Sequence, residues 1–313
     1  MSAHGDDARL VARALGIDPS SILDLSVTLN PFAPDPAPLV ERAIRSGALR
    51  RYPDDGDRAR ARDALACALG VAPWRVLVTN GGAEAIALVA GVIGEGWVDD
   101  PDFSLYARHL SALVRGAPRF RSDPHNPTGL LAPPSASAAV WDEAFYPLAT
   151  GRWTCAPGPE PRAAPAVVVG SLTKVFGCPG LRLGYAVVPE DDGASLGCAG
   201  LAARLGAAQA RWSVGTPALV VVPDLLESAD LGSWCAAIAR HRRELCDLLR
   251  RHGLSPRPSD ANFVLVDGAA DLKARLAPLG VVVRDCTSFG LPDAVRIVVP
   301  DGDGLQRLDR ALA

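Results

Sequence analysis

Lysine is nearly absent from this chain: only Lys174 and Lys273 among its 32 basic side chains are not arginine. Aromatic residues make up only 5% of the 313 residues, and the formal net charge of −3 gives no basic field of the kind that attracts nucleic acid. No apolar run approaches the roughly 20 residues of a membrane span. The residues at 1–7 lack the basic start and apolar core of a signal peptide. The sequence therefore predicts a cytoplasmic protein that binds neither nucleic acid nor membrane.

Cysteine pairs with metal-ligand spacing are also missing. Seven cysteines are present, yet none forms a Cys-x-x-Cys pair, and they are scattered through apolar stretches. This distribution favours buried thiols over disulfides or ligands, so we expect no metal site.

What the chain does contain is an alternation of short apolar runs with helical patterns. This alternation is typical of an α/β fold with a mostly parallel sheet flanked by helices. A change of pattern near residue 233 predicts an N-terminal arm at 1–30, a large domain at 31–232 and a small α+β domain at 233–313. The clearest predicted strands are 75–79, 139–141, 166–170, 183–188, 261–266, 281–284 and 294–299, and the clearest helices are 7–15, 57–69, 83–93, 234–251 and 272–279.

Lys174 lies in the run SLTKVFGCPGLRLGY at residues 171–185. A lysine can offer a neutral amine for Schiff-base chemistry, whereas a guanidinium stays protonated. The hydroxyls of Ser171 and Thr173 and the guanidinium of Arg182 are groups that could hold a dianionic phosphate. Taken without these neighbours, Lys174 would be interpreted as a surface lysine in a Gly-rich loop.

Another anion-binding element is predicted where the strand at 75–79 turns at Asn80-Gly81-Gly82 into a helix. Free backbone N–H groups and the helix dipole converge at such a turn. Gly82 and Ala83 would offer their N–H groups there.

Together these segments resemble the pyridoxal 5′-phosphate (PLP) site of the fold-type I aminotransferases. The motif Ser-x-x-Lys followed by Pro-Gly-Leu-Arg-x-Gly-Tyr carries the resemblance, which extends over nearly the whole chain. It implies a large domain with a mostly parallel sheet plus a small C-terminal α+β domain, with PLP as cofactor and Lys174 as its attachment point. The implied phosphate ligands are Gly82, Ala83, Ser171, Thr173 and Arg182.

The resemblance also implies how the cofactor ring is held. Asp142, at the end of the predicted strand at 139–141, would keep the ring nitrogen protonated. Asn126, in the run PHNPTG, would hydrogen-bond the ring hydroxyl. Of the aromatic pair Phe103 and Tyr106, we favour Tyr106 as the residue that stacks on the ring. Taken alone, each feature is ordinary: a loop start, an Asn-Pro turn and core aromatics.

Arg284 and Arg296 lie in apolar, strand-like segments. A buried arginine is costly unless paired, so an anionic substrate is a reasonable partner, with structural salt bridges as the alternative. The resemblance adds His4 and Asn30 to the substrate side. It also implies that Tyr52 reaches the phosphate from a partner subunit, which predicts a homodimer.

Within the superfamily the chain is most similar to the threonine-phosphate decarboxylases of cobalamin biosynthesis and to the histidinol-phosphate aminotransferases. The His-Gly start, the Arg-Asp-Cys triplet at 284–286 and Phe145, where the aminotransferases usually carry a tyrosine, favour the decarboxylase branch. The expected function is thus a PLP-dependent lyase that decarboxylates a phosphorylated amino acid such as L-threonine O-3-phosphate. Transamination of histidinol phosphate or a related amino acid, and a non-catalytic PLP-fold binding protein, stay as alternatives. A nucleotide-binding oxidoreductase is disfavoured because no Gly-x-Gly-x-x-Gly follows a strand.

The chain departs from the family between Tyr106 and Asp142. Nineteen residues separate Tyr106 from Asn126, and fifteen separate Asn126 from Asp142. A βαβ crossover needs at least about a dozen residues. We therefore expect at least one peripheral strand or helix of the large sheet to be missing.

Overall fold

The computed structural model describes residues 7–155 and 165–313, so His4 lies outside the described residues. In the described part of the chain, no helix combines the length and the apolar character needed to cross a membrane. Across the same residues, histidine, cysteine and carboxylate side chains form no group able to hold a metal ion.

The strands form two sheets. They are β1 (Leu23–Leu25), β2 (Val76–Asn80), β3 (Glu95–Val98), β4 (Ala112–Leu113), β5 (Arg119–Ser122), β6 (Val140–Asp142), β7 (Val167–Gly170), β8 (Leu183–Val187), β9 (Ser255–Pro256), β10 (Phe263–Asp267), β11 (Val281–Asp285) and β12 (Val295–Val298). The larger sheet has seven strands in the order β2-β8-β7-β6-β5-β3-β4, in which β8 is antiparallel to both neighbours and all other pairs are parallel. The smaller sheet has the order β1-β11-β12-β10-β9.

Helices cover both faces of the larger sheet. The helices are α1 (Ala8–Leu15), α2 (Ala37–Arg45), α3 (Asp55–Leu69), α4 (Gly81–Ile93), α5 (Leu105–His109), α6 (Tyr146–Thr150), α7 (Leu172–Val175), α8 (Leu201–Ala208), α9 (Thr216–Glu227), α10 (Leu231–Arg251), α11 (Leu272–Leu276) and α12 (Gly302–Leu312). Successive side chains of a strand point to opposite faces, so Val168 of β7 packs into the core layer with α3 and α9, while Val167 and Val169 pack into the layer with α4 and α8.

The N-terminal segment belongs to the smaller sheet. β1 pairs in parallel with β11, and Ala12 and Ile22 pack against Val282. Lys273 forms an ion pair with Asp7 beside this contact. The domain boundaries at 31 and 233 stay predictions.

Every strand and helix predicted above occurs within three residues of its expected bounds. The region between α5 and α6 is shortened in a specific way. It keeps strands β4, β5 and β6, but all of its residues are described and none is in an α-helix. Only residues 114–118 join β4 to β5, and the 17 residues from β5 to β6 are irregular. The shortened region therefore has no helical connection, and its strands are held in the sheet by backbone hydrogen bonds.

Candidate active site

The predicted site residues lie at the carboxyl ends of the central strands. Asp142 ends β6, Asn126 follows β5 by four residues, and Lys174 follows β7 by four residues on the short helix α7. In open α/β sheets this edge forms the crevice where ligands bind.

A tight backbone packing shapes the amino end of α4. Gly81 has a φ of +74°, which favours glycine, and Gly184 of β8 packs against the same turn. A Cβ atom on Gly184 would lie 2.4 Å from the carbonyl carbon of Gly81. The guanidinium of Arg182 lies so close to Gly81 that a Cβ atom on Gly81 would be 2.6 Å from Arg182 Nη2.

This end of α4 has the character of an anion site. Its N-cap residue, Asn80, makes no side-chain capping hydrogen bond, so the N–H groups of Gly82 and Ala83 stay available. Ser171 packs beside Gly82, and its hydroxyl has no protein partner among the residues that the structure describes. Arg182 supplies the positive charge.

Thr173 has a different environment from the other predicted phosphate ligands. Its hydroxyl donates to the carbonyl oxygen of Leu183 at 3.1 Å and accepts from the N–H of Leu183 at 3.2 Å. These contacts tie the Lys174 segment to β8. The hydroxyl of Thr173 is thus already used within the protein.

Burial lowers the pKa of Lys174 to about 8. The positive charges of Arg296 and Arg182 act in the same direction, whereas Asp142 opposes them. A substantial fraction of this amine is therefore neutral slightly above neutral pH, as a nucleophilic lysine requires.

Burial raises the pKa of Asp142 to about 6, and the Tyr106 hydroxyl opposes the shift by donating to Asp142 Oδ2 at 2.8 Å. Tyr106 itself is only 1% exposed and packs against Phe103 and Phe120. A ring without an exposed face cannot stack on a cofactor. The structure thus corrects the stacking role favoured for Tyr106, and the partly exposed Phe103 is the aromatic available for it.

Asn126 joins the two sheets at the site. Arg296 Nη1 donates to Asn126 Oδ1 at 2.5 Å, which leaves the side-chain amide of Asn126 as a donor. The Arg296 guanidinium lies 4.8 Å from the ring centroid of Phe263 and 5.8 Å from that of Phe289. Its Nε is buried and has no hydrogen-bond partner among the described residues.

Arg284 lies directly opposite Arg296 in the pairing of β11 with β12. Arg284 Nη2 also donates to Ser288 Oγ at 3.0 Å. Like charges directly opposite on neighbouring strands destabilise a sheet. Residues directly opposite each other share one face of the sheet, so both guanidinium groups start from the same face.

Asn30 and Tyr52 lie in surroundings that their sequence contexts did not reveal. Asn30 Nδ2 donates to the carbonyl oxygen of Val175, and Asn30 Oδ1 accepts from the N–H of Phe32. The Nδ2 bond thus holds this segment against the Lys174 helix, whereas the Oδ1 bond stays within the segment. Tyr52 is 74% exposed, and its ring centroid lies 4.6 Å from that of Trp212.

Comparison with known proteins identifies the group to which this arrangement belongs. The profile of the family described as aminotransferase class I and II matches residues 120–312, which include Asn126, Asp142, Lys174 and both arginines of the paired strands. The chain belongs to the class I and II aminotransferase family. The predicted fold class is confirmed, because the histidinol-phosphate aminotransferase of Sinorhizobium meliloti in complex with PLP superposes with a TM-score of 0.75 at 19% identity, covering 97% of this chain and 93% of that one.

Two relatives represent both branches considered above. The chain is 28% identical to the histidinol-phosphate aminotransferase of Haloarcula marismortui, over 98% of this chain and 95% of the relative. It is 29% identical to the threonine-phosphate decarboxylase of Salmonella typhimurium, over 92% of this chain and 89% of the relative. The first alignment spans 355 positions, more than the 313 residues present, so it contains gaps in this chain.

Family membership makes the protein a PLP-dependent enzyme, as the sequence predicted. The structure fits this cofactor in two ways. An uncapped helix end with Ser171 and Arg182 suits the phosphate, and a buried carboxylate suits a protonated ring nitrogen. An amine with a lowered pKa lies near both.

Two residues of this structure, Asp102 and Trp212, were not singled out from the sequence. Asp102 accepts two hydrogen bonds from Ser122, whose hydroxyl accepts from the N–H of Asn126. The ring of Trp212 packs beside that of the exposed Tyr52. Asp102 stands next to Phe103, one of the aromatic residues considered for the cofactor ring, and this position could have drawn attention to it. Its contact with Ser122 joins residues twenty positions apart, so the sequence could not reveal it.

Proposed function

We propose that this enzyme decarboxylates a small phosphorylated amino acid, such as L-threonine O-3-phosphate. The observation that carries the proposal is the pair Arg284 and Arg296, which lie directly opposite each other beside Asn126. Two guanidinium groups on one face suit a phosphate dianion better than a single carboxylate. The Salmonella typhimurium decarboxylase supports this substrate class, since its name specifies a phosphorylated amino acid.

Bound at Lys174, PLP would supply an electron sink for a bond broken at the substrate α-carbon. Asp142, ionised above about pH 6, would hold the proton on the ring nitrogen that makes this sink effective. The amide of Asn126 would donate to the ring hydroxyl. These contacts would hold the cofactor that supplies the electron sink, but they do not select which bond of the substrate breaks.

Selection of the bond falls to the arginines. If Arg284 and Arg296 hold the phosphate, the substrate carboxylate is left without either of these arginines as a partner. PLP would then supply the sink for the electron pair of the bond between the α-carbon and the carboxylate, and CO₂ would leave. Lys174 Nζ would return a proton to the α-carbon, which would complete the exchange of CO₂ for a proton.

Transamination is the second candidate, because relatives such as the Haloarcula marismortui protein are named histidinol-phosphate aminotransferases. In that reaction Arg296 would bind an anionic group of the substrate, and Lys174 would remove the proton at the α-carbon. Phosphate recognition is common to both reactions. The two differ in whether CO₂ is released.

Product analysis separates these reactions. We expect L-threonine O-3-phosphate to yield CO₂ and a phosphorylated amine without any keto-acid acceptor. Histidinol phosphate with 2-oxoglutarate should give no glutamate. Glutamate formation without CO₂ release would establish the aminotransferase instead.

Substitution of Arg284 tests whether this side chain binds the phosphate of the substrate. Arg284→Gln should raise KM for the phosphorylated substrate by about 30-fold or more, as loss of a hydrogen bond between charged groups predicts. Activity on unphosphorylated threonine should change little. Arg275→Gln is the matched control, because Arg275 is half-exposed and, among the residues that the structure describes, forms an ion pair with Asp271 alone. Equal losses on both substrates would contradict phosphate binding by Arg284.

We also propose a homodimer in which Tyr52 completes the phosphate site of the partner subunit. Tyr52, Trp212 and Leu49 are large apolar side chains exposed on the described chain. Ser213, next to Trp212, accepts from Asn80 Nδ2 at the start of α4, so this surface adjoins the phosphate end of the site. An isologous interface here would make two equivalent composite sites.

Light scattering should therefore give twice the chain mass. Tyr52→Phe should weaken PLP affinity only about 2- to 10-fold, because a neutral hydrogen bond contributes roughly 0.5–1.5 kcal/mol. Tyr52→Ala, which also removes the ring, should weaken dimerisation as well. A monomer with normal PLP affinity and turnover would rule out this arrangement.

A further inference from the structure

A buried carboxylate outside the proposed chemistry lies behind Asn126. Asp102, in the loop between β3 and α5, is only 7% exposed. It accepts hydrogen bonds from the N–H of Ser122 at 3.0 Å, the hydroxyl of Ser122 at 2.5 Å and the N–H of Phe103 at 2.7 Å. The two donors of Ser122 hold the end of β5 against this loop.

Ser122 extends the contact to Asn126. The single hydroxyl hydrogen of Ser122 is donated to Asp102, so a lone pair of the same oxygen accepts from the N–H of Asn126 at 2.7 Å. Asn126 Oδ1 in turn accepts from Arg296. Hydrogen bonds to the backbone and to the side chain of Asn126 therefore connect Asp102 with the guanidinium of Arg296.

The charge of Asp102 strengthens this connection. Burial raises the pKa of Asp102 to about 6, while the bonds from Ser122 and Phe103 and the charge of Arg121 oppose the rise. Asp102 also faces Tyr106 and Asp142, and its charge raises the pKa of both. At neutral pH Asp102 is ionised and can accept from all three donors, and such charge-assisted bonds are stronger than neutral ones.

We infer that Asp102 is a positioning residue that holds Asn126, through Ser122, where its amide meets the ring hydroxyl of PLP and its carbonyl oxygen meets Arg296. The inference rests on the cofactor contact proposed for Asn126. Asp102 touches neither cofactor nor substrate and acts only through the hydrogen-bond chain.

Two readouts separate the positioning role from the cofactor contact. The first is amide hydrogen exchange of the peptide at 122–130 in the cofactor-free protein. The second is the pKa at which the visible absorbance of bound PLP changes, together with the Kd for PLP. An amide donor on the ring oxygen favours its deprotonated form, so Asn126→Ala should raise that pKa by about one unit, a tenfold change in the equilibrium.

Asp102→Asn and Ser122→Ala should each speed exchange of the 122–130 peptide and raise the absorbance pKa in the direction of Asn126→Ala. Both should weaken PLP binding by about tenfold, as expected for loss of a hydrogen bond to a charged group. Ser122→Thr keeps the hydroxyl and should behave like the unchanged protein. Asp100→Asn is the matched control, since Asp100 is an exposed carboxylate two residues from Asp102.

The double variant provides the decisive comparison. Asp102→Asn added to Asn126→Ala should shift the absorbance pKa no further than Asn126→Ala alone, because residues that act in one chain are not additive. Unchanged exchange in Asp102→Asn, or a fully additive shift, would overturn the inference. If Asn126→Ala itself leaves the absorbance unchanged, the proposed cofactor contact fails, and exchange of the 122–130 peptide alone decides whether Asp102 positions Asn126. Should Asp102→Asn not fold, Ser122→Ala against Ser122→Thr makes the same test.

Discussion

Lys174→Arg should lower turnover by at least about 10³-fold, even at saturating PLP. A guanidinium stays protonated, so it can neither attach the cofactor covalently nor carry a proton to the substrate α-carbon. The fold should be retained, because arginine keeps the positive charge and nearly the length of lysine. Steady-state rates give the loss. Borohydride reduction followed by peptide mass spectrometry should find the cofactor on the Lys174 peptide of the unchanged protein and nowhere in the variant.

The chain offers a matched control in its second lysine. Lys273 forms an ion pair with Asp7 at the small sheet. Lys273→Arg preserves this charge and should leave turnover unchanged. Normal turnover in Lys174→Arg would refute the assignment of Lys174, whatever the behaviour of the control.

The second large effect is expected at Asp142, where activity and stability should change in opposite directions. Asp142→Asn removes the charge that keeps the ring nitrogen protonated, so turnover should fall about 10²-fold or more. The cofactor-free variant should nevertheless be more stable. Burial raises the pKa of Asp142 from 3.8 to about 6, so the ionised carboxylate destabilises the fold; this effect is absent below pH 3.8 and complete above pH 6.

A shift of this size corresponds to a gain of up to about 3 kcal/mol in the unfolding free energy of Asp142→Asn at neutral pH. Thermal or denaturant unfolding without PLP, followed between pH 4 and pH 7.5, should show the gain growing with pH. Asp267→Asn, which removes a surface carboxylate paired with Arg257, should change stability by less than about 1 kcal/mol. A variant with unchanged turnover, or a stability gain that does not depend on pH, would contradict this account of Asp142.

The site predictions differ in how far the local sequence could support them. Lys174 in its loop and Asp142 after a predicted strand stand in local motifs that the sequence alone could single out, and the structure places both at the carboxyl ends of the central strands. The stacking role of Tyr106 could not be decided from its local run. The same aromatic run is compatible with either ring facing the cofactor, and only packing against Phe120 and the hydrogen bond to Asp142 excluded Tyr106.

The sequence by itself determined the α/β class, the cofactor and the family, because hydrophobic periodicity and a long local motif are properties of the chain alone. Only the tertiary structure shows that the shortened region has no helical connection and that the hydroxyl of Thr173 is bonded to Leu183. It also shows that Asp102 reaches Asn126 through Ser122. It also decided the opposite pKa shifts of Lys174 and Asp142. These features depend on burial and on contacts between residues distant in the chain, and neither exists until the sheets have assembled.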